Sequence, residues 1–254
     1  MSLDYKSLPL WAKNVLQVYP LDEDYNPYKF WYDFLRYKLD DVPGDIVEVG
    51  VYRGRTLCTT AYICSGLENP RIVVGFDSFS GFPNTSHPKD SPDLFHQLLR
   101  DGSITSDHYQ QLLLNLELSS VVGRSLTTGG LSSSGNFSAT SQELVESKLK
   151  FLGLSNYQLV DGDVATTMVP ENLPDRISAI FLDADLYEPY YFTLKNAWSR
   201  LSVGGIIFLD EYFSLKFPGP RIAVNEFLAS ADDARLRCIE DPCREFQRWI
   251  IQKN

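Results

Sequence analysis

The sequence predicts an α/β domain of the doubly wound kind: a mostly parallel sheet with helices on both faces and one antiparallel edge strand. Three observations predict it. Short apolar runs at Asp45–Gly50, Arg71–Phe76, Ile177–Leu182 and Gly204–Leu209 have the length and β-branched content of buried strands. Helical segments lie between them, as crossovers joining parallel strands require. Near the end, Leu236–Ile239 and Phe246–Ile251, joined through Asp241-Pro242, read as a hairpin that closes the sheet antiparallel at one edge.

The strands at Ile177–Leu182 and Gly204–Leu209 both run into acids. The first delivers Asp183 and Asp185, the second Asp210 and Glu211, and no Lys or Arg lies between Leu182 and Glu188 or between Val203 and Ser214. Three or four carboxylates gathered at neighbouring strand ends repel one another, which calls for a cation.

With 254 residues, 44% hydrophobic and 13% aromatic, the chain can bury a core as one domain spanning 1–254. A net charge of -10 argues against a nucleic-acid face, which shows a basic patch or stripe. No apolar run approaches the roughly 18 residues of a membrane span, and no signal-peptide core is present, so a soluble, cytoplasmic protein is expected. Cys58, Cys64, Cys238 and Cys243 lack CxxC spacing and are expected as reduced thiols.

Taken in order, residues 4–40 form an aromatic helical segment. Phe30, Phe34 and Tyr37 share a face of a helix over Tyr28–Leu39, which packs over the sheet or caps its mouth. Strand Asp45–Gly50 leads into the turn Glu48-x-Gly50-x-x-x-Gly54 and a helix over Thr56–Ser65. This is neither GxGxxG nor a P-loop. An acid followed by two spaced glycines is common in S-adenosylmethionine sites, although plain turn glycines would look the same. The next strand ends in Asp77-Ser78, where an acid either accepts ribose hydroxyls or caps a turn.

Periodicity weakens over about 81–141, with helical patches at Leu94–Arg100 and Tyr109–Leu118. An insertion of this length next to a strand mouth suggests a mobile substrate lid. His87, His96 and His108 fall within it and are expected to be exposed or capping, with His87 nearest the mouth and able to face substrate. A helix over Glu143–Leu152 and a strand over Tyr157–Asp161 follow; Asp163 either meets an adenine amino group or caps Val164–Met168. Beyond the acidic strand come a helix over Glu188–Leu201, a turn at Ser202–Gly205 and a helix over Arg221–Ala231.

The combination Glu48-Val-Gly-Val-Tyr-Arg-Gly54, Phe76-Asp-Ser-Phe-Ser-Gly-Phe-Pro83, Leu182-Asp-Ala-Asp-Leu-Tyr-Glu188 and Leu209-Asp-Glu-Tyr212 resembles the TylF, or macrocin O-methyltransferase, family over roughly residues 45–228. The resemblance implies a Rossmann-like class I methyltransferase with a seven-stranded sheet, S-adenosyl-L-methionine as donor, a bound Mg2+ and a lid over a small-molecule acceptor. That acceptor would be a sugar hydroxyl of a natural product, and a homo-oligomer is plausible for the family. Carried onto this chain, it implies Asp183, Asp210 and Glu211 as metal ligands and Asp185 as general base. The implied donor pocket comprises Glu48, Gly50, Tyr52, Arg53, Gly54, Thr56, Asp77, Ser78, Asp163 and Asp183. Where this chain has Asp210-Glu211 the family pattern has two aspartates, so the third ligand reaches one methylene further. The competing enzyme is a catechol-type O-methyltransferase with a planar phenolic acceptor. A non-catalytic nucleotide-binding domain would be expected to carry the dinucleotide glycine loop, which is absent.

Overall fold

The computed structural model describes residues 5–19, 26–84, 87–132, 134–239 and 247–254. Residue 4, Asp241-Pro242, Cys243 and Phe246, named above, lie outside them. In chain order the elements are α1 (Leu10–Leu16), α2 (Lys29–Tyr37), β1 (Asp45–Val49), α3 (Arg55–Ser65), β2 (Val73–Asp77), α4 (Leu94–Arg100), α5 (Ser106–Val121), α6 (Gln142–Phe151), β3 (Tyr157–Asp161), α7 (Val164–Thr167), β4 (Ile177–Leu182), α8 (Tyr187–Ala197), β5 (Leu201–Leu209), α9 (Gly219–Leu228), β6 (Ala234–Ile239) and β7 (Arg248–Lys253).

The strands form one sheet in the order β3-β2-β1-β4-β5-β7-β6. The first five are parallel, and β7 runs antiparallel between β5 and β6. Every residue of β4 is buried, because the two faces of the sheet are covered by separate apolar layers. On one side Ile46, Phe181 and Phe208 pack under α2, α3 and α6; on the other Val47, Ile180 and Ile207 pack under α8 and α9. Strand order reverses between β1 and β4. In such sheets ligands bind at the carboxyl ends beside that reversal.

Three expectations shift. The buried face of α2 is Trp31, Tyr32, Phe34 and Leu35, while Tyr37 is exposed. The helix is core rather than a cover, since Trp31 lies 5.2 Å from the Phe181 ring and donates to Thr60 Oγ1 at 3.0 Å. The turn placed at Ser202–Gly205 is a bulge inside β5. Gly204 has φ +81°, and the register against β4 shifts between Ile177 and Ala179, an irregularity that a glycine accommodates without strain. Helix α5 starts three residues before the expected Tyr109, because Thr105 Oγ1 accepts the His108 N–H at 3.1 Å and caps it. No helix among the described residues is long and apolar enough to cross a membrane.

Candidate active site

A cavity of about 990 Å³ opens at the carboxyl ends of β1, β2, β4 and β5 and is roofed by the insertion. One half is built by the glycine turn. Gly50 adopts φ +91°, and a Cβ there would overlap the Asp183 carbonyl, so the bare glycine lets the β1 turn and the β4 tip approach. Gly54, at φ +68°, begins α3 against Val145. Asp77 binds the turn from β2: its Oδ2 accepts the Tyr52 N–H and its Oδ1 the Phe79 N–H, both at 2.7 Å. Burial pushes its pKa up, opposed by those same hydrogen bonds.

Gly50, Tyr52, Arg53, Thr56, Asp77, Ser78 and Asp163 all line this half. Asp163 also caps α7, its Oδ1 accepting the Ala165 N–H at 2.9 Å. Glu48 is placed differently: it is buried beneath the turn rather than lining the cavity, and its Oε2 has no hydrogen-bond partner. Burial, then the proximity of Asp183, raises its pKa well above the usual carboxylate range.

The other half gathers the acids. Strand geometry, which would point Asp183 and Asp185 to opposite sides, ends at Leu182. Asp185 takes a left-handed backbone with φ +59°, a conformation uncommon for any non-glycine residue and found at functional sites. One carboxylate oxygen each from Asp183, Asp185 and Glu211 consequently lies within 4.8 Å of the others. Tyr190 fixes Glu211 from α8, donating to its Oε2 at 2.6 Å while accepting the Glu211 N–H at 3.1 Å. Burial raises the pKa of Asp183 well above the ordinary range, followed by repulsion from Asp210. Burial likewise raises Glu211, then repulsion from Asp183, Asp210 and Asp185. Asp185 is pushed up to about 6 by burial, with Lys216 pulling down and Asp210 pushing up.

Asp210 lines the same cavity but stands outside the triplet. Its Oδ1 accepts from Arg248 at 2.6 Å, and its carbonyl accepts from the same guanidinium at 3.2 Å. The three converging carboxylates fit a hard divalent cation: they offer oxygen donors alone, and each is raised in pKa by burial first and then by like charge nearby.

Arg248, Tyr190 and Lys216 did not stand out in the sequence. Arg248 was the findable one, because β7 pairs antiparallel with β5 and sets Trp249 opposite Leu209, which brings the preceding arginine beside Asp210. The histidines divide. His96 is exposed, and His87 caps a turn through Nδ1, which accepts the Lys89 N–H at 3.1 Å, while lining the cavity. His108 is buried, against expectation. Its Nε2 lies 2.7 Å from the Ser214 carbonyl and its ring stacks on Phe213, so it ties α5 to the loop after Glu211.

The profile of the macrocin O-methyltransferase (TylF) family matches residues 35–119 and 129–245. The demethyldecarbamoylnovobiocin O-methyltransferase of Streptomyces niveus is 26% identical over 77% of this chain and 62% of its own length. The 8-demethyl-8-(2,3-dimethoxy-alpha-L-rhamnosyl)-tetracenomycin-C 4'-O-methyltransferase of Streptomyces olivaceus is 27% identical over 68% of this chain and 54% of its own. The chain thus spans less than two-thirds of the length of these curated relatives. Among solved structures, the O-methyltransferase NovP superposes with a TM-score of 0.61 at 23% identity, covering 87% of this chain and 78% of that one, which establishes the shared class I methyltransferase fold. With a profile covering most of its length and four motifs in order on a seven-stranded sheet, the chain belongs to the macrocin O-methyltransferase family.

Proposed function

We propose that this protein is an O-methyltransferase that uses S-adenosyl-L-methionine and a divalent cation, Mg2+, to methylate a hydroxyl of a sugar or sugar-containing natural product. The observation that carries this is the convergence of Asp183, Asp185 and Glu211 beside the glycine turn. The activities of the relatives, one of which is named for a rhamnosyl compound, support the acceptor class.

When bound, the donor supplies an electrophilic methyl group and the cation acidifies and orients an acceptor hydroxyl. The residues do the rest. Tyr52, Asp77 and Ser78 hold the donor on the β1–β2 side, with Asp163 at the rim, and alignment of donor and acceptor contributes several kcal/mol. Asp183 and Glu211 hold the cation, Glu211 steadied by Tyr190. Asp185 would take the acceptor proton while, with the donor bound, the methyl group passes to the acceptor oxygen, its carbon–sulfur bond breaks and S-adenosylhomocysteine leaves. Burial raises the pKa of Asp185 to about 6 while Lys216 pulls it down, and a cation alongside would lower it further, so the carboxylate is ionised at neutral pH and able to accept a proton. The insertion serves as the lid, its His108 and Asn115 holding the carbonyls of Ser214 and Leu215.

Labelled-methyl transfer to a panel of glycosides and phenols, with Mg2+ or with excess chelator, tests this. Magnesium-dependent label in a glycoside is the expected result. Full transfer in chelator would remove the cation from the mechanism, and transfer confined to catechols would replace the acceptor.

A further inference from the structure

Helix α5 carries two apolar faces, and the fold uses one. His108, Leu112 and Ser119 are buried against the body of the protein. On the opposite side Leu114 and Leu118 are each 54% exposed and Val121 is 77% exposed. At 3.6 residues per turn, positions 107, 114, 118 and 121 lie within about 60° of one another, so Leu114, Leu118 and Val121 form an apolar stripe over the C-terminal half of the helix, with Asp107 on the same face at its start. Large apolar side chains rimmed by polar residues on a solvent face mark an interaction surface.

The charges at its two ends indicate the occupant. Asp107 lies on the stripe in the first turn, Arg124 follows the last turn, and both are exposed with no salt-bridge partner among the described residues. No Lys or Arg interrupts α5 between them.

We propose that the outward face of α5 docks a second copy of this chain, the two helices running antiparallel across a two-fold axis between Leu114 and Leu118. In that arrangement Leu114 of one copy meets Leu118 of the other, and Asp107 comes opposite the second copy's Arg124, twice by symmetry. A two-fold contact must be self-complementary in this way. Antiparallel packing also sets each helix N-terminus beside the other's C-terminus, which the helix dipoles favour. The contact leaves the cavity side free, because the inward face of the same helix holds the loop after Glu211 through His108 and Asn115. A single helix pair buries less than the roughly 1,200 Å² of a standard interface, so the dimer is weak and forms only at raised concentration.

Sedimentation equilibrium of the whole chain from about 1 to 200 μM reads this directly. The expected result is a monomer–dimer equilibrium that Leu118→Glu or Leu114→Glu abolishes, both side chains being more than half exposed and the melting temperature staying put. Asp107→Arg and Arg124→Asp each raise the dissociation constant about five- to tenfold, and the double exchange restores it. A wild-type chain that stays monomeric at the highest concentration overturns the proposal, as does a dimer indifferent to Leu118→Glu. Single charge variants without effect, or a double exchange that fails to rescue, overturn the antiparallel register.

Discussion

The two halves of the sheet's carboxyl edge hold their acids in opposite ways. At the tips of β1 and β2, Asp77 engages both oxygens with backbone N–H groups of Tyr52 and Phe79, and the result is a built turn. At the tips of β4 and β5, Asp183, Asp185, Asp210 and Glu211 act mainly on one another, relieved by Arg248 and Lys216. Four carboxylates face two cations there, and their crowding is what a divalent ion would relieve. The same residue type at the same edge shapes a turn where backbone donors surround it and is left open to a ligand where they do not.

The largest expected effect lies on the deficient side. Asp183→Asn should lower kcat/KM about 10³-fold while leaving S-adenosylhomocysteine binding intact, because a lost ligand removes several kcal/mol of charge stabilisation; steady-state kinetics beside calorimetry separates the two. Asp185→Asn should depress turnover about 10²–10³-fold with little change in cation affinity, as for a lost general base. A parallel loss of cation binding would make Asp185 a ligand alone. On the satisfied side, Asp77→Ala frees two backbone N–H groups and should weaken S-adenosylhomocysteine about ten- to a hundredfold without touching the cation. Calorimetry showing equal affinity would sever Asp77 from the donor.

The smallest effect sharpens the comparison at an intermediate case. Asp90, in the insertion, has Oδ1 satisfied by the Tyr187 N–H at 2.8 Å and Oδ2 buried without a partner. Burial raises its pKa to about 7. Since the folded value exceeds the unfolded one, this group's favourable contribution is present below about pH 4 and is lost as pH rises through 7. Asp90→Asn keeps the Tyr187 contact and stays neutral, so it should flatten that slope and gain about 1–3 kcal/mol over wild type at pH 8 in urea titrations. A variant less stable at pH 8 would mean the charge has a partner.

Much of this edge was legible. An apolar run that ends abruptly in acids locates a strand tip, and Ile177–Leu182 is a strand with those bounds. The convergence of the acids was not legible in full, because it depends on a left-handed Asp185 that no spacing announces. Gly50 was readable as a turn glycine, not as a required one, because what requires it is an atom of Asp183, far along the chain. Arg248 reaches Asp210 only through the register of β7 on β5, and His108 reaches Ser214 across 106 residues. Local pattern fixes which residues arrive at the edge; long-range pairing decides which of them meet.

The direct test is calorimetric titration of Mg2+ and Mn2+ into the protein saturated with S-adenosylhomocysteine, with Asp183→Asn and Glu211→Gln alongside. One ion per wild-type chain, lost in both variants, is the predicted result. A wild-type chain that takes up no divalent ion, or variants that bind it as tightly as wild type, would contradict the account.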